Sequence, residues 1–171
     1  MRFLLLLAFI FAGPAAAGDV EVELRGGGWA KICGAANANG RVCYTARDFF
    51  APDTDKPTLA FAVYDTEGKS RQIMRFLLPV GLLMDRGFDV SVDGRALTHG
   101  RFKICFANGC YADAKLSVEF RQRLLQDEFM QLSVTNQAGK MVMFQLPLDG
   151  FATAFKGAGI TREKTFQQPQ Q

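Results

Sequence analysis

The sequence predicts a mainly antiparallel all-β protein, a β-sandwich or flattened barrel with one short helix near 117–126. Three observations carry this: short runs of alternating apolar and polar residues, turn residues spaced between them, and Cys pairs that flank Asn-Gly. Of 171 residues, 49% are hydrophobic and 22% charged. That is enough apolar surface for one core and too little charge for a disordered chain.

The first element is an address. Met1-Arg2 supplies a positive charge, Phe3 to Ala12 is an unbroken apolar run, and Gly13-Pro14 breaks it before Ala15-Ala16-Ala17. This is the order of a secretory signal peptide over 1–17, too short to span a bilayer as a helix. A single domain over 18–160 and a disordered tail over 161–171 are expected to follow. The tail ends Phe166-Gln167-Gln168-Pro169-Gln170-Gln171 and has no periodicity. The expected product is an exported periplasmic protein, secreted or envelope-associated, without a transmembrane segment.

Strands are expected over 29–32, 41–46, 58–64, 71–78, 88–92, 101–105, 111–115, 130–135 and 141–146. Asp65-Thr66-Glu67-Gly68-Lys69, Asp93-Gly94 and Asn136-Gln137-Ala138-Gly139 supply turns between them. Alternation places Leu59, Phe61 and Val63 on one face, and sets Met141, Met143 and Gln145 opposite Val142, Phe144 and Leu146. The Met residues read as core filler. The period changes once: Ser117 is placed to cap a helix, Glu119 suits its first turn, and Phe120 and Leu124 share a face.

In an exported chain the four Cys read as disulfides. Three pairings are possible. Asn39-Gly40 lies between Cys33 and Cys43, and Asn108-Gly109 between Cys105 and Cys110, which favours local hairpin bridges Cys33 with Cys43 and Cys105 with Cys110. Neither spacing is Cys-x-x-Cys, and a zinc site would need all four thiolates reduced in an oxidising compartment.

Catalytic signals are sparse. The one His, His99, falls in Leu97-Thr98-His99-Gly100, which reads as a solvated turn. Asp85, Asp89 and Asp93 recur every four residues, but on a loop entering a strand that spacing does not aim them at one cation, so they read as a solvated edge. Gly26-Gly27-Gly28 lacks the companions of a phosphate loop and reads as local freedom before the first core strand. No metal, cofactor or catalytic residue is implied. A net charge of +3 is too small and dispersed to indicate nucleic acid. Two features are candidates for contact: Phe49-Phe50-Ala51-Pro52, where one ring of the pair would point outward, and the basic residues Arg71, Arg75, Arg121 and Arg123, placed to face an acidic partner or to solvate the surface.

A set of landmarks then resembles a known family. They are Trp29-Ala30-Lys31-Ile32-Cys33, Cys43, Leu77-Leu78-Pro79-Val80-Gly81-Leu82-Leu83, Val90-Ser91-Val92-Asp93-Gly94, Cys105-Phe106-Ala107-Asn108-Gly109-Cys110 and Leu148-Asp149-Gly150-Phe151. Together they are similar to the invasion-associated locus B family, the Cys-x4-Cys hairpin being the most specific part. The resemblance implies an exported bacterial envelope protein with a disulfide-bonded β domain, some relatives being linked to host-cell invasion and envelope stress survival. It supplies no catalytic residue, cofactor or ligand. The expected function is therefore a non-enzymatic binding or accessory protein with a protein or envelope-component partner. The alternative is a carrier of a small apolar ligand between the sheets, suggested by the 13 Phe beyond the expected signal peptide and several Met.

Overall fold

The computed structural model describes residues 20–36, 40–68 and 72–161. The expected signal peptide, Asn39 of the first Asn-Gly pair, Arg71, and the expected tail beyond Thr161 lie outside the described residues.

The chain forms strands β1 (Val20–Glu23), β2 (Arg25–Gly26), β3 (Ala30–Cys33), β4 (Val42–Phe50), β5 (Leu59–Thr66) and β6 (Gln72–Leu78). After a 3-10 turn at Met84–Arg86 come β7 (Phe88–Val92), β8 (Arg95–Phe106) and β9 (Gly109–Leu116). Helix α1 (Val118–Gln126), strands β10 (Phe129–Thr135) and β11 (Met141–Pro147), helix α2 (Phe151–Lys156) and strand β12 (Ile160–Thr161) complete it. The strands form one curled sheet in the order β1-β11-β10-β7-β8-β9-β6-β5-β4-β3-β12, with β2 also on β4. Neighbours are antiparallel except β1 with β11 and β12 with β3, which are parallel.

Period-two patterning explains the inner face. Leu59, Phe61 and Val63 on β5, Met74, Phe76 and Leu78 on β6, and Val90 and Val92 on β7 are buried, as are Met130, Leu132, Phe144 and Leu146 from the other half. The expected pattern on β11 holds, with Met141 on the outward side and 44% exposed. The Met core filler is Met74 and Met130. Ring contacts cross from one half of the sheet to the other: Phe61 stacks on Phe76 at 4.8 Å, and edge-on contacts join Phe76 to Phe88 at 5.2 Å and Phe88 to Phe102 at 6.1 Å. Phe49, Phe120, Phe144 and Phe151 are buried as well, while Phe106 and Phe129 are exposed.

Strand β8 joins the halves, and it corrects the turn expected at Leu97–Gly100. Its first part pairs with β7 and its second with β9, with irregular register between Phe102 and Ile104. Gly100 sits under the Phe88 ring, where a Cβ would come within 2.0 Å of it. The glycine that reads as a breaker is thus a close approach inside a continuous strand. His99 lies on this strand and not in a turn.

Helix α1 forms as expected: Ser117 accepts a hydrogen bond from the Phe120 amide at 3.0 Å, and Phe120 and Leu124 are buried. The single expected helix becomes two, because Gly150 at φ 79° lets the chain turn into α2 and bury Phe151. Disulfides join Cys33 to Cys43 and Cys105 to Cys110. In both cases the two Cys are directly opposed across neighbouring strands.

The two ends of the sheet meet. β1 runs beside β11, the Leu24 amide donates to the Gln145 carbonyl at 3.4 Å, and β2 then pairs with the end of β4 at Phe49 and Phe50. One segment of seven residues thus stitches β11 to β4 and curls the sheet into a half-barrel.

Candidate functional site

At that seam lies the most buried cation of the described residues. Arg47 on β4 is 7% exposed. Its Nε donates to the Gly27 carbonyl, its Nη1 to the Pro147 carbonyl at 2.9 Å and to Asp149 Oδ1 at 2.7 Å, and its Nη2 to Asp149 Oδ2 at 3.3 Å. The guanidinium also lies 5.5 Å from the Trp29 ring centroid. The hydrogen bond from Arg47 holds the Asp149 carboxyl below its ordinary range. A hollow of about 470 Å³ opens beside this cluster, next to Gly27, Trp29 and Gly150. With four of its five N–H donors engaged, Arg47 works as a clasp between β4 and the β11–α2 connection. The Gly-rich stretch belongs to it: a Cβ on Gly26 would lie 2.0 Å from Arg47 Nε, whereas one on Gly28 would meet nothing within 4 Å.

The sequence-based candidates disperse. His99 Nδ1 is 2.8 Å from Asp89 Oδ1, directly across β7 and β8, with both side chains at least half exposed. Asp85 sits in the 3-10 turn and Asp93 in the β7–β8 turn at φ 48°, so the three aspartates do not converge. Among the described residues no cluster of His, Cys, Asp and Glu is arranged for a metal ion. Phe49 is fully buried, while Phe50 points outward under the Arg25 guanidinium, 5.4 Å from its centroid. Arg75 is paired with Asp113 through bonds of 2.8 and 3.0 Å, which raise its pKa further above an already high value. Arg121 donates to Gln72 at 3.3 Å and Arg123 pairs with Asp127 at 3.7 Å. These three arginines are tied to neighbours within the fold.

Sequence reasoning missed the outer face of the sheet. Tyr44, Tyr64 and Tyr111 are the only tyrosines of the chain, and all three line one hollow of about 170 Å³ on that face. Its floor is Ala46, Ala60 and Ala62. Tyr44 and Tyr64 stack at 5.5 Å as a directly opposed pair, and Arg75 lies 5.3 Å over Tyr64. Beyond Asp113 on the same face, a shallow basin of about 440 Å³ carries Arg101, Lys103 and Lys115. The outward positions were readable from alternation; their adjacency required the strand order.

The sequence pattern of the family described as "Invasion associated locus B (IalB) protein" matches residues 29–159. The chain belongs to this family. The match begins at Trp29 and runs through both disulfides, α2 and the clasp residues Arg47 and Asp149. No curated protein matches the chain. Among solved structures, the invasion associated protein B from Bartonella henselae is similar at TM-score 0.60 and 19% identity, over 67% of this chain and 82% of that one. That likeness shows a shared IalB fold. Export and disulfide bonding in the envelope agree with IalB membership and with the two bridges found here.

Proposed function

We propose that this IalB-family chain is an exported, non-enzymatic accessory protein of the bacterial envelope that works by binding a protein partner on the outer face of β4, β5, β6 and β9. One observation carries the reading: all three tyrosines line one hollow with the half-buried Ala46, Ala60 and Ala62 on that face. Tyrosine offers large contact area at small entropic cost and is enriched in interfaces. Further support for binding over catalysis comes from the cysteines, all bridged and so without a thiolate nucleophile. The family's description as invasion associated supports a role in host contact.

The same proposal includes removal of 1–17 on export, periplasmic residence of a single domain over 18–160, and a tail over 161–171. Thr161, the first residue of that tail, is paired with Cys33 in β12.

The test is cross-linking in intact cells with a photoreactive residue at Tyr64, and at exposed Glu119 as control. A discrete protein partner captured from Tyr64 and not from Glu119, and lost on Tyr44→Ser, is the expected result. Equal capture from both positions, or none, overturns the assignment of this face. The intact mass of the recovered protein checks cleavage after Ala17 independently.

A further inference from the structure

The β8–β9 hairpin carries a second kind of surface. Lys103, Ile104, Cys105 and Phe106 are consecutive and all exposed, so this end of β8 stands clear of the core on both faces. Ile104 is 50% and Phe106 53% exposed, and as alternate strand residues they share a face. Phe106 meets the edge of Tyr111 at 6.0 Å. On the other side of the hairpin the Met84 sulfur lies 3.4 Å from Cys105 Sγ, with Met84 itself 46% exposed. Val80, 60% exposed, is two residues beyond Leu78, which pairs with Cys110. Four of the large apolar side chains exposed among the described residues therefore collect at one end of the molecule. The Cys105–Cys110 bridge holds the hairpin closed behind its tip.

Cations stand behind this tip. Lys103 is three residues back from Phe106 and Arg101 five, or about 10 and 17 Å along the strand. Lys115 lies on the neighbouring strand and lines the same basin. Among the described residues none of the three is in an ion pair with a carboxylate, and the basin's own carboxylate, Asp113, is engaged by Arg75. Asp85 and Arg86, beside Met84, offset one another in charge.

An exposed apolar tip with cations set about 10 Å behind it matches the profile of an anionic lipid surface. The headgroup layer is about 5–7 Å deep, so with the rings at the acyl boundary Lys103 reaches the phosphates along its own side chain, while Arg101 and Lys115, farther back, stand within about a Debye length of the anionic surface. A soluble acidic partner would use the cations and leave Phe106, Ile104, Met84 and Val80 in water. We infer that the β8–β9 hairpin docks on an anionic lipid surface, with Phe106 and Ile104 at the acyl boundary, Lys103 reaching the headgroup phosphates, and Arg101 and Lys115 in the surface potential above them. This rests on the export reading for its location and adds the lipid class and the residues that meet it.

The test uses the chain recovered from the periplasm, its intact mass reporting export separately from lipid docking. It is sedimented with vesicles of one part phosphatidylglycerol to two parts phosphatidylethanolamine, and with pure phosphatidylcholine vesicles. Expected are binding to the anionic vesicles about ten-fold tighter than to the neutral ones, and its loss at about 0.5 M salt. Ile104→Ser with Phe106→Ser, and separately Arg101→Glu with Lys103→Glu, should each weaken binding about ten-fold while thermal unfolding stays unchanged. Equal binding to both vesicle types, no binding to either, or full binding by the Ser double variant overturns the inference. So does capture of an acidic protein by the same tip when vesicles are ignored. If the variants fold poorly, the lipid preference and salt dependence of the parent still decide it.

Discussion

The Arg47 guanidinium and the Asp149 carboxylate, 102 residues apart in the chain, are joined by two hydrogen bonds at 2.7 and 3.3 Å across the seam between β4 and the end of β11. The guanidinium is buried and the carboxylate 74% exposed, so the two partners do not carry equal weight. Removing the arginine leaves the carbonyls of Gly27 and Pro147 short of a donor in a partly buried seam. Removing the carboxylate leaves the arginine those carbonyl contacts. Arg47→Ala is expected to cost about 3 kcal/mol. Asp149→Asn should cost under about 1 kcal/mol, because an exposed partner is screened by solvent. Urea unfolding of both variants checks the asymmetry, and equal losses would contradict it.

The glycines beside the clasp separate close approach from flexibility. Gly26→Ala forces a methyl into a guanidinium pinned by several hydrogen bonds, and an expected cost of about 2–3 kcal/mol follows. At Gly28 a methyl meets open space, so Gly28→Ala should change stability by less than about 0.5 kcal/mol. Thermal midpoints of the two variants, measured side by side, test the difference.

The pH dependence has a defined sign. Asp149 has its carboxyl lowered from an ordinary 3.8 chiefly by the hydrogen bond from Arg47. Its contribution to stability is therefore complete above about pH 4 and is lost as pH falls from there through the lower folded value. Asp149→Asn should remove that part of the acid loss and leave the neutral plateau flat. Unfolding midpoints from pH 7 to pH 2 for parent and variant show whether the acid limb shallows.

Each disulfide closes a short loop, with sequence separations of 10 and 5 residues. Short loops constrain the unfolded chain modestly, so Cys105→Ser or Cys33→Ser should each cost about 2–3 kcal/mol under oxidising conditions. Reductant should lower the parent's unfolding midpoint and leave a variant lacking all four Cys unaffected. Identical midpoints for the parent with and without reductant would remove this role.

What the sequence determined by itself is what depends on neighbours a few residues away. The buried alternation of Leu59, Phe61 and Val63, the Ser117 cap, and two Cys pairs set across local hairpins all follow from period-two geometry, a single capping hydrogen bond and short-range turns. The family landmarks are of the same kind, being contiguous strings. Even so, a local signal misleads where a distant partner overrides it: Gly100 reads as a turn until Phe88 is seen to occupy the space above it. Helix α2, six residues long, has too few residues to show a period and depends on burying Phe151 beside Trp29 at 4.8 Å. The tertiary structure alone decided which ends of the sheet meet, that Arg47 finds Asp149, and that Tyr44, Tyr64 and Tyr111 share one hollow. Those outcomes depend on strand order and register between segments tens of residues apart, which side-chain periodicity along a single strand does not encode.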